Sequence, residues 1–263
     1  MNDSRLIIGD GKVSKVIRRP NDVIISRDKC DVTVLSDVLA SIKGFNGTVI
    51  NCAAKAGLEW CAKNKEEAYL VNTVGAINIL KACELYSCKL VHISTGCIFD
   101  GNEIVSTEEH TPNPAVWYTK TKFWADDYIT SYGYDDYLIL RPRQMISAKK
   151  HPTNMITKFL SLDKLRCHNE PNSITCIEDF SQIISHLLKI GATGVYNCAN
   201  TGPISPYEIG GMVKKYLKPM MKIDLIDYEE MVNVVPEKRV NVILSTEKLK
   251  SSGFTIRSAH EAL

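Results

Sequence analysis

Short apolar runs set between amphipathic stretches organise the first half of the chain. Leu6-Ile7-Ile8, Val23-Ile24-Ile25, Thr48-Val49-Ile50, Leu90-Val91-His92-Ile93 and Tyr137-Leu138-Ile139-Leu140 follow one another, each bounded by glycine or polar residues. Between them lie helical patterns, such as Ala76, Ile79, Leu80, Ala82 and Cys83, with apolar positions at the 3.6-residue period. Strands alternating with amphipathic helices predict a parallel sheet covered on both faces, an α/β, Rossmann-like doubly wound fold. Past Arg141 the pattern shifts. His151-Pro152-Thr153-Asn154 breaks it, residues 155–162 read as a helix, and residues 194–198 read as a further strand. Ser205-Pro206-Tyr207-Glu208 carries the signature of a helix start, with a capping box and proline in the first turn. These breaks divide the chain into a core at 1–145 and a smaller C-terminal region at 146–263, partly interleaved with the core.

In doubly wound sheets, ligands sit beyond the carboxyl ends of the strands. The informative motifs fall there. Gly9-x-Gly11-x-x-Ser14 approximates a dinucleotide fingerprint, with serine in the third glycine position. Its glycines permit close approach to a pyrophosphate, and the following helix offers free N–H groups. After the second run stands Arg27, suited to a 2′-phosphate, so NADP is expected; Asp28 beside it keeps NAD open.

The most specific chemistry lies in Tyr118-Thr119-Lys120-Thr121-Lys122, downstream of Ser94-Thr95-Gly96-Cys97. Tyr118 and Lys122 share a helix face. An ammonium beside a phenol lowers its pKa from about 10. Such a tyrosine can protonate a carbonyl oxygen while hydride reaches the carbon. Thr95 supplies a second hydrogen bond. Arg143 and Arg239 carry guanidinium groups, whose geometry matches phosphate.

Composition narrows the setting. With 263 residues and a net charge of +2, nothing calls for nucleic acid. Arg18-Arg19 reads as a solvated helix end. The nine cysteines form no Cys-x-x-Cys pair and have no zinc-ligand spacing, so no metal, no disulfide framework and a reducing compartment are expected. Met1-Asn2-Asp3-Ser4 runs directly into the first strand, and no apolar run could span a bilayer, so a cytoplasmic protein without a membrane partner is expected.

These segments resemble the extended short-chain dehydrogenase/reductase superfamily. Asn51-Cys52-Ala53-Ala54, Val71-Asn72-Thr73-Val74-Gly75, His92-Ile93-Ser94-Thr95 and the Tyr118/Lys122 pair fall in its order. Residues 91–95 and Ile98-Phe99-Asp100-Gly101 are similar to dTDP-4-dehydrorhamnose reductases. Residues 57–61, 95–99, 118–122, 140–147, 154–158, 171–175 and 197–208 are similar to nucleotide-rhamnose synthases, the epimerase/reductases of plant UDP-L-rhamnose formation. The likeness covers nearly the whole chain.

The resemblance implies conversion of UDP-4-keto-6-deoxy-D-glucose to UDP-L-rhamnose, by epimerisation at C3 and C5 and NADPH-dependent reduction of the C4 ketone. By position, Thr95, Tyr118 and Lys122 serve the reduction, and Cys97 and Lys158 match the epimerase acid/base pair. Asn51, Ala53 and Ala54 join the cofactor site, and Asn154 joins Arg143 and Arg239 on the substrate side. The chemistry is coherent. A C4 ketone acidifies the hydrogens at C3 and C5, and the groups that polarise it can hold the enolate. A thiol and an ammonium, with free pKa values near 8.5 and 10.4, suit proton transfer on opposite faces. Pure 4-ketoreductases of the dTDP route usually carry tyrosine where Cys97 stands.

Two alternatives remain open. One is a reductase acting on dTDP-4-dehydrorhamnose without epimerase activity. The other is a catalytically silent subunit, as the regulatory subunit of methionine adenosyltransferase resembles the same reductases. Cys97 as a small buried residue, Lys158 as a solvated lysine and the two arginines as surface residues are the ordinary alternatives for each position. Asn72 is expected to order backbone. A homodimer is compatible with the chain. Three features depart from the family: Ser14, a first helix cut short by Pro20, and a short loop between Gly101 and Pro112.

Overall fold

Parallel pairing takes up the apolar runs in a simple order. β1 (Arg5–Ile8), β2 (Val23–Ile25), β3 (Thr48–Asn51), β4 (Lys89–Ile93), β5 (Tyr137–Pro142) and a later strand, β9 (Gly194–Cys198), form one six-stranded sheet. Its order is β2-β1-β3-β4-β5-β9 and every pairing in it is parallel. The chain steps outward to β2, returns past β1 to β3 and continues the other way. The β1/β3 boundary is therefore a switch point, where a crevice opens beyond the strand ends. The computed structural model describes residues 4–102 and 104–263. Met1, Asn2 and Asp3, expected to lead into β1, and Glu103 of the short loop lie outside the described residues.

Helices cover both faces. The crossovers are α1 (Lys12–Ile17), α2 (Leu35–Ile42), then α3 (Leu58–Lys63), α4 (Lys65–Tyr69), a π-turn (Leu70–Val74) and α5 (Gly75–Leu85), and α6 (Trp117–Ser131). As Pro20 implied, α1 is short, ending where Arg18 turns extended. Leu6, Ile8, Val49, Leu90 and Ile139 pack with Val38 and Ile42 of α2 and Ile79 and Leu80 of α5. The alternate residues Ile7, Ile50, Val91, Leu138 and Leu140 pack with Ile17 and with Phe180 and Ile183 of α8 (Ile177–Lys189). Each such side chain contributes roughly 1.5–3 kcal/mol on leaving water.

In the second half, β6 (Met145–Ile146) pairs with β8 (Thr175–Cys176) and β7 (Lys164–Cys167) with β10 (Lys222–Leu225). Around them lie α7 (Met155–Leu160), α9 (Pro206–Tyr216), α10 (Tyr228–Val234), α11 (Glu247–Ser251) and α12 (Ala259–Ala262). The Ser205 hydroxyl accepts from the Glu208 amide at 3.1 Å, and the Glu208 carboxylate accepts from the Ser205 amide at 2.8 Å, completing the expected box. α7 stops at Leu160, short of the residue 162 that periodicity suggested. Lys218 Nζ donates to the Leu160 and Leu162 carbonyls at 3.2 and 2.9 Å, taking the place of further helical turns. All nine cysteines are free. Among the described residues, no helix is long and apolar enough to cross a membrane.

A buried ion pair ties the first crossover to the sheet. Arg5, 2% exposed, donates from Nε to Asp22 Oδ1 at 3.0 Å and from Nη2 to the Ile17 carbonyl at 2.6 Å. Asp22 also accepts from the Arg19 amide at 2.7 Å. Removing one member of a buried pair strands the other charge. Arg5→Leu is expected to lower the unfolding free energy in urea by about 3–5 kcal/mol. Lys250→Ala, which breaks an exposed pair with Glu247, should change it by less than about 1 kcal/mol. Equal losses would show that burial does not set the cost.

Candidate active site

Alternation along the strands turns polar where they reach the crevice. Two residues beyond Val49, Leu90 and Ile139 stand Asn51, His92 and Arg141, on the same face of the sheet. All three are buried. β3 and β4 pair with Asn51 opposite His92. Onto this row α6 lays Tyr118, Lys122 and Asp126, four residues apart and so on one face.

At the switch point, Gly9, Gly11, Arg27, Ala53 and Ala54 line a cavity of about 230 Å³. Gly9 has φ +104°, and a Cβ there would come within 2.7 Å of the Ala53 nitrogen. Backbone can be approached closely here and the turn admits no side chain, which is the fit a dinucleotide pyrophosphate needs. Asn51 lies beneath, its Oδ1 accepting from the Ala53 amide at 3.0 Å. Ser14 is buried behind the loop, and its hydroxyl donates to the Gly11 carbonyl at 3.0 Å. Arg27 reaches Glu67 Oε1 at 3.4 Å from the exposed rim.

Thr95 caps the short turn Gly96–Ile98 and accepts from the Cys97 amide at 3.1 Å. The Thr95 side chain also acts on the Tyr118 phenol, favouring its ionisation. Burial nonetheless pushes the phenol up, and the Cys97 and Cys61 thiols add to the shift. The sequence-based expectation that Lys122 lowers Tyr118 is not met. Lys122, 1% exposed, contacts His92 Nε2 at 3.1 Å and donates to the Ile93 carbonyl at 2.8 Å. Desolvation lowers its pKa from 10.5 to about 8, opposed by Asp126 and Cys52. Asn72, as expected, orders backbone. It grips both the amide and the carbonyl of Lys55, at 2.8 and 3.0 Å, from within the π-turn.

Beyond Tyr118 opens a cavity of about 420 Å³ lined by Cys97, Arg143, Gln144, Phe159, His168 and Arg239, among others. Arg143 is buried. Its Nη1 lies 3.0 Å from Cys97 Sγ, and its Nη2 donates to the Val240 carbonyl. Arg239 pairs with Glu59. A Cβ at Gly101, φ +83°, would collide with the Asn241 carbonyl, so glycine lets the strap carrying Arg239 close over the site.

Two residues expected at this site stand apart from it. Lys158 is exposed and does not line the cavity. Met155 and Phe159, at i and i+4, take the inward face of α7. The charge of Lys158 acts instead on Lys12, whose pKa is lowered by burial first and then by Lys158. Asn154 is buried, its amide donating to the Ser147 and Lys149 carbonyls at 2.6 and 3.2 Å, so it holds a loop. Three residues that sequence reasoning did not single out belong to the site: His92, Asp126 and Gln144. Gln144 has φ +39° and a buried, unpartnered Oε1. The four-residue spacing from Lys122 could have found Asp126; no sequence signal marked Gln144.

The chain matches the model of the RmlD substrate binding domain over residues 13–263. It is 31% identical over 227 residues to a bifunctional dTDP-4-dehydrorhamnose 3,5-epimerase/dTDP-4-dehydrorhamnose reductase of Arabidopsis thaliana, covering 82% of this chain and 74% of that protein. It is 30% identical over 241 residues to that plant's trifunctional UDP-glucose 4,6-dehydratase/UDP-4-keto-6-deoxy-D-glucose 3,5-epimerase/UDP-4-keto-L-rhamnose-reductase. That match covers 87% of this chain but 35% of the relative, so the chain spans about a third of its length. A crystal structure of dTDP-4-dehydrorhamnose reductase from Bacillus anthracis in complex with NADP has the same fold. Its TM-score is 0.90 at 23% identity, covering 100% of this chain and 97% of that one.

Lys122 gives this site a pH signature. Its folded pKa of about 8 lies below the ordinary 10.5, so between these values the unfolded chain binds more protons and stability rises with pH. A shift of about 2.5 units corresponds to roughly 3 kcal/mol. The unfolding free energy of the parent minus that of Lys122→Met is expected to grow by up to this amount from pH 7.5 to 10.5. A flat difference would show that burial does not depress Lys122.

Proposed function

The chain belongs to the RmlD substrate binding domain family, and on that premise we propose that it epimerises C3 and C5 of UDP-4-keto-6-deoxy-D-glucose and reduces its C4 ketone with NADPH. The observation that carries the reading is the meeting of four groups. The Thr95 side chain lies near enough to the Tyr118 phenol to favour its ionisation, and Cys97, with the Arg143 guanidinium against its sulfur, opens onto the adjoining cavity. Gly9, Gly11, Ala53 and Ala54 would hold the dinucleotide, with Arg27 at its 2′-phosphate. NADPH, when bound, supplies the hydride.

In this reading Thr95 and Tyr118 donate hydrogen bonds to the C4 oxygen. Cys97 removes a proton from the sugar carbon beside the ketone, leaving an enolate whose charge those donors hold. A proton delivered from solvent water to the opposite face inverts the centre, and the proton taken up by Cys97 passes back to solvent. Tyr118 then gives its proton to the C4 oxygen as hydride reaches C4. A phenol raised by burial suits this role, because it keeps its proton until the oxygen takes up charge. The region after residue 145 supplies much of the sugar-nucleotide cavity, through Phe159, His168 and Arg239. One observation favours a second reading, reduction alone of a ketone epimerised elsewhere: Lys158 lies exposed, away from Cys97, so the ammonium expected opposite the thiol is not in position.

Products formed from UDP-4-keto-6-deoxy-glucose and NADPH in deuterated water separate the two. The parent is expected to place deuterium at C3 and C5. Cys97→Ala should lose that incorporation and keep NADPH affinity; undiminished incorporation would remove Cys97 from the epimerisation. Tyr118→Phe should slow reduction by about 10²–10⁴-fold, and reduction at the parent rate would end its assignment. For the cofactor, NADPH should bind more tightly than NADH. Arg27→Ala should narrow that preference by about tenfold, the worth of one hydrogen bond to a charged group. Equal dissociation constants in the parent would contradict the role of Arg27.

A further inference from the structure

Donors and acceptors around Lys122 do not balance if the lysine is charged. Asn51 fixes the count. Its Oδ1 accepts the Ala53 amide proton at 3.0 Å, so the atom facing His92 Nδ1, at 3.1 Å, is the amide nitrogen Nδ2. An amide nitrogen only donates, so Nδ1 accepts. A neutral imidazole that accepts at Nδ1 carries its proton on Nε2. Nε2 lies 3.1 Å from Lys122 Nζ. An ammonium has three N–H groups and no lone pair, so two donors would oppose each other in a buried contact. A neutral amine accepts the Nε2 proton and still donates to the Ile93 carbonyl, 2.8 Å away. The Asn51 amide, both His92 ring nitrogens and Lys122 Nζ are then all paired.

A second acceptor lies beside the ring. Asp126 Oδ1 is buried without a hydrogen-bond partner and stands 3.9 Å from His92 Nε2. Asp126 Oδ2 is already engaged, accepting from Ser94 Oγ at 2.8 Å and Arg141 Nε at 3.3 Å.

We propose that His92 is a positioning residue for Lys122, a two-way partner whose Nε2–H either holds the lysine against β4 as a neutral amine or turns to Asp126 Oδ1 and releases it as an ammonium. Only one proton is exchanged with solvent, the one that charges Nζ; the imidazole keeps its own. The released ammonium lies on the Tyr118 face of α6, the contact that the arrangement seen here withholds. The groups facing Lys122 are His92 on β4, Cys52 just beyond β3, Asp126 on its own helix and, through Asp126, Arg141 on β5. Asp126 and Cys52 favour the charged lysine; burial opposes it. Burial and Lys122 together hold the His92 pKa well below its ordinary value, so the ring stays neutral throughout.

The catalytic consequence rests on the proposed reductase reading; the tautomer does not. Protein labelled with ¹⁵N in its histidines tests the tautomer directly. His92 is expected as the neutral Nε2–H form from pH 6 to 10, with a step in its Nε2 shift near pH 8 that vanishes in Lys122→Met. An Nδ1–H tautomer, or no step in the parent, overturns the proposal. Kinetics test the consequence. Glutamine at position 92 places an oxygen where Nε2 lies, and that oxygen accepts from an ammonium without a proton of its own. In His92→Gln the alkaline limb of the pH–kcat profile for reduction of UDP-4-keto-6-deoxy-glucose should move up by about one pH unit, a tenfold change. A purely structural role would lower kcat or the melting temperature and leave the limb in place, which would overturn the positioning role. If the parent reduces neither this substrate nor its dTDP counterpart, the functional reading fails, and the NMR outcome alone upholds or overturns the pairing.

Discussion

The register between β3 and β4 is the constraint on which the site depends. Asn51 stands opposite His92, so both side chains leave the same face of the sheet. A slip of one residue would exchange this polar pair for the apolar set of the other face. The buried row would then lose its partners on α6. Because Lys122 and Asp126 are one helical turn apart, α6 can meet the row only in one axial position. That position brings Tyr118, one turn nearer the crevice, to Thr95. The geometry of the candidate site is thus fixed by backbone pairing in the sheet core, with the loops closing around it.

Much of the fold was legible because strands buried on both faces must be apolar. The six strands of the main sheet follow runs that stand out by composition alone, and α9 announced itself through its cap. Thr95, Tyr118 and Lys122 drew notice for a different reason: their spacing suits a chemistry. What the sequence could not convey is the direction in which a side chain is drawn once the core forms. Lys122 shares a helix face with Tyr118, yet a histidine two residues beyond Leu90 and a backbone carbonyl offer it nearer partners. Lys158 sits one residue before Phe159, and that one step on a helix separates the cavity from solvent. Asn154 was legible as a position of interest, while its commitment to the Ser147 and Lys149 carbonyls depends on a loop whose path no local pattern announced.

Glycine marks where backbone must come close. At Gly9 the approach is to the end of β3, and at Gly101 it is to the strap that bears Asn241. The first lets the turn after β1 pack directly against the backbone beyond β3. The second draws residues 239–241 over the cavity beside Cys97. The same strap is held from below by Asn172, whose amide donates to Asn241 Oδ1 at 3.0 Å and whose Oδ1 accepts from the Val242 amide at 3.1 Å. Two halves of the sequence therefore share one site because two backbone approaches, far apart along the chain, admit no side chain.

The charge of Arg143 poses the sharpest energetic question. Among the described residues, no carboxylate pairs with it, and its Nε is buried without a partner. A buried, unpaired guanidinium costs several kcal/mol, and a hydrophobic residue of similar size would stabilise the resting fold. The hydrogen bonds it makes go to a sulfur and a carbonyl, neither of which cancels its charge. Negative charge arriving beside it would offset that cost. On the proposed reading, an enolate forming beside Cys97, or a diphosphate entering the cavity, would each supply that charge. The fold then keeps a cation whose compensation comes from the ligand, which is how a site favours a charged state that develops during turnover over one present at rest.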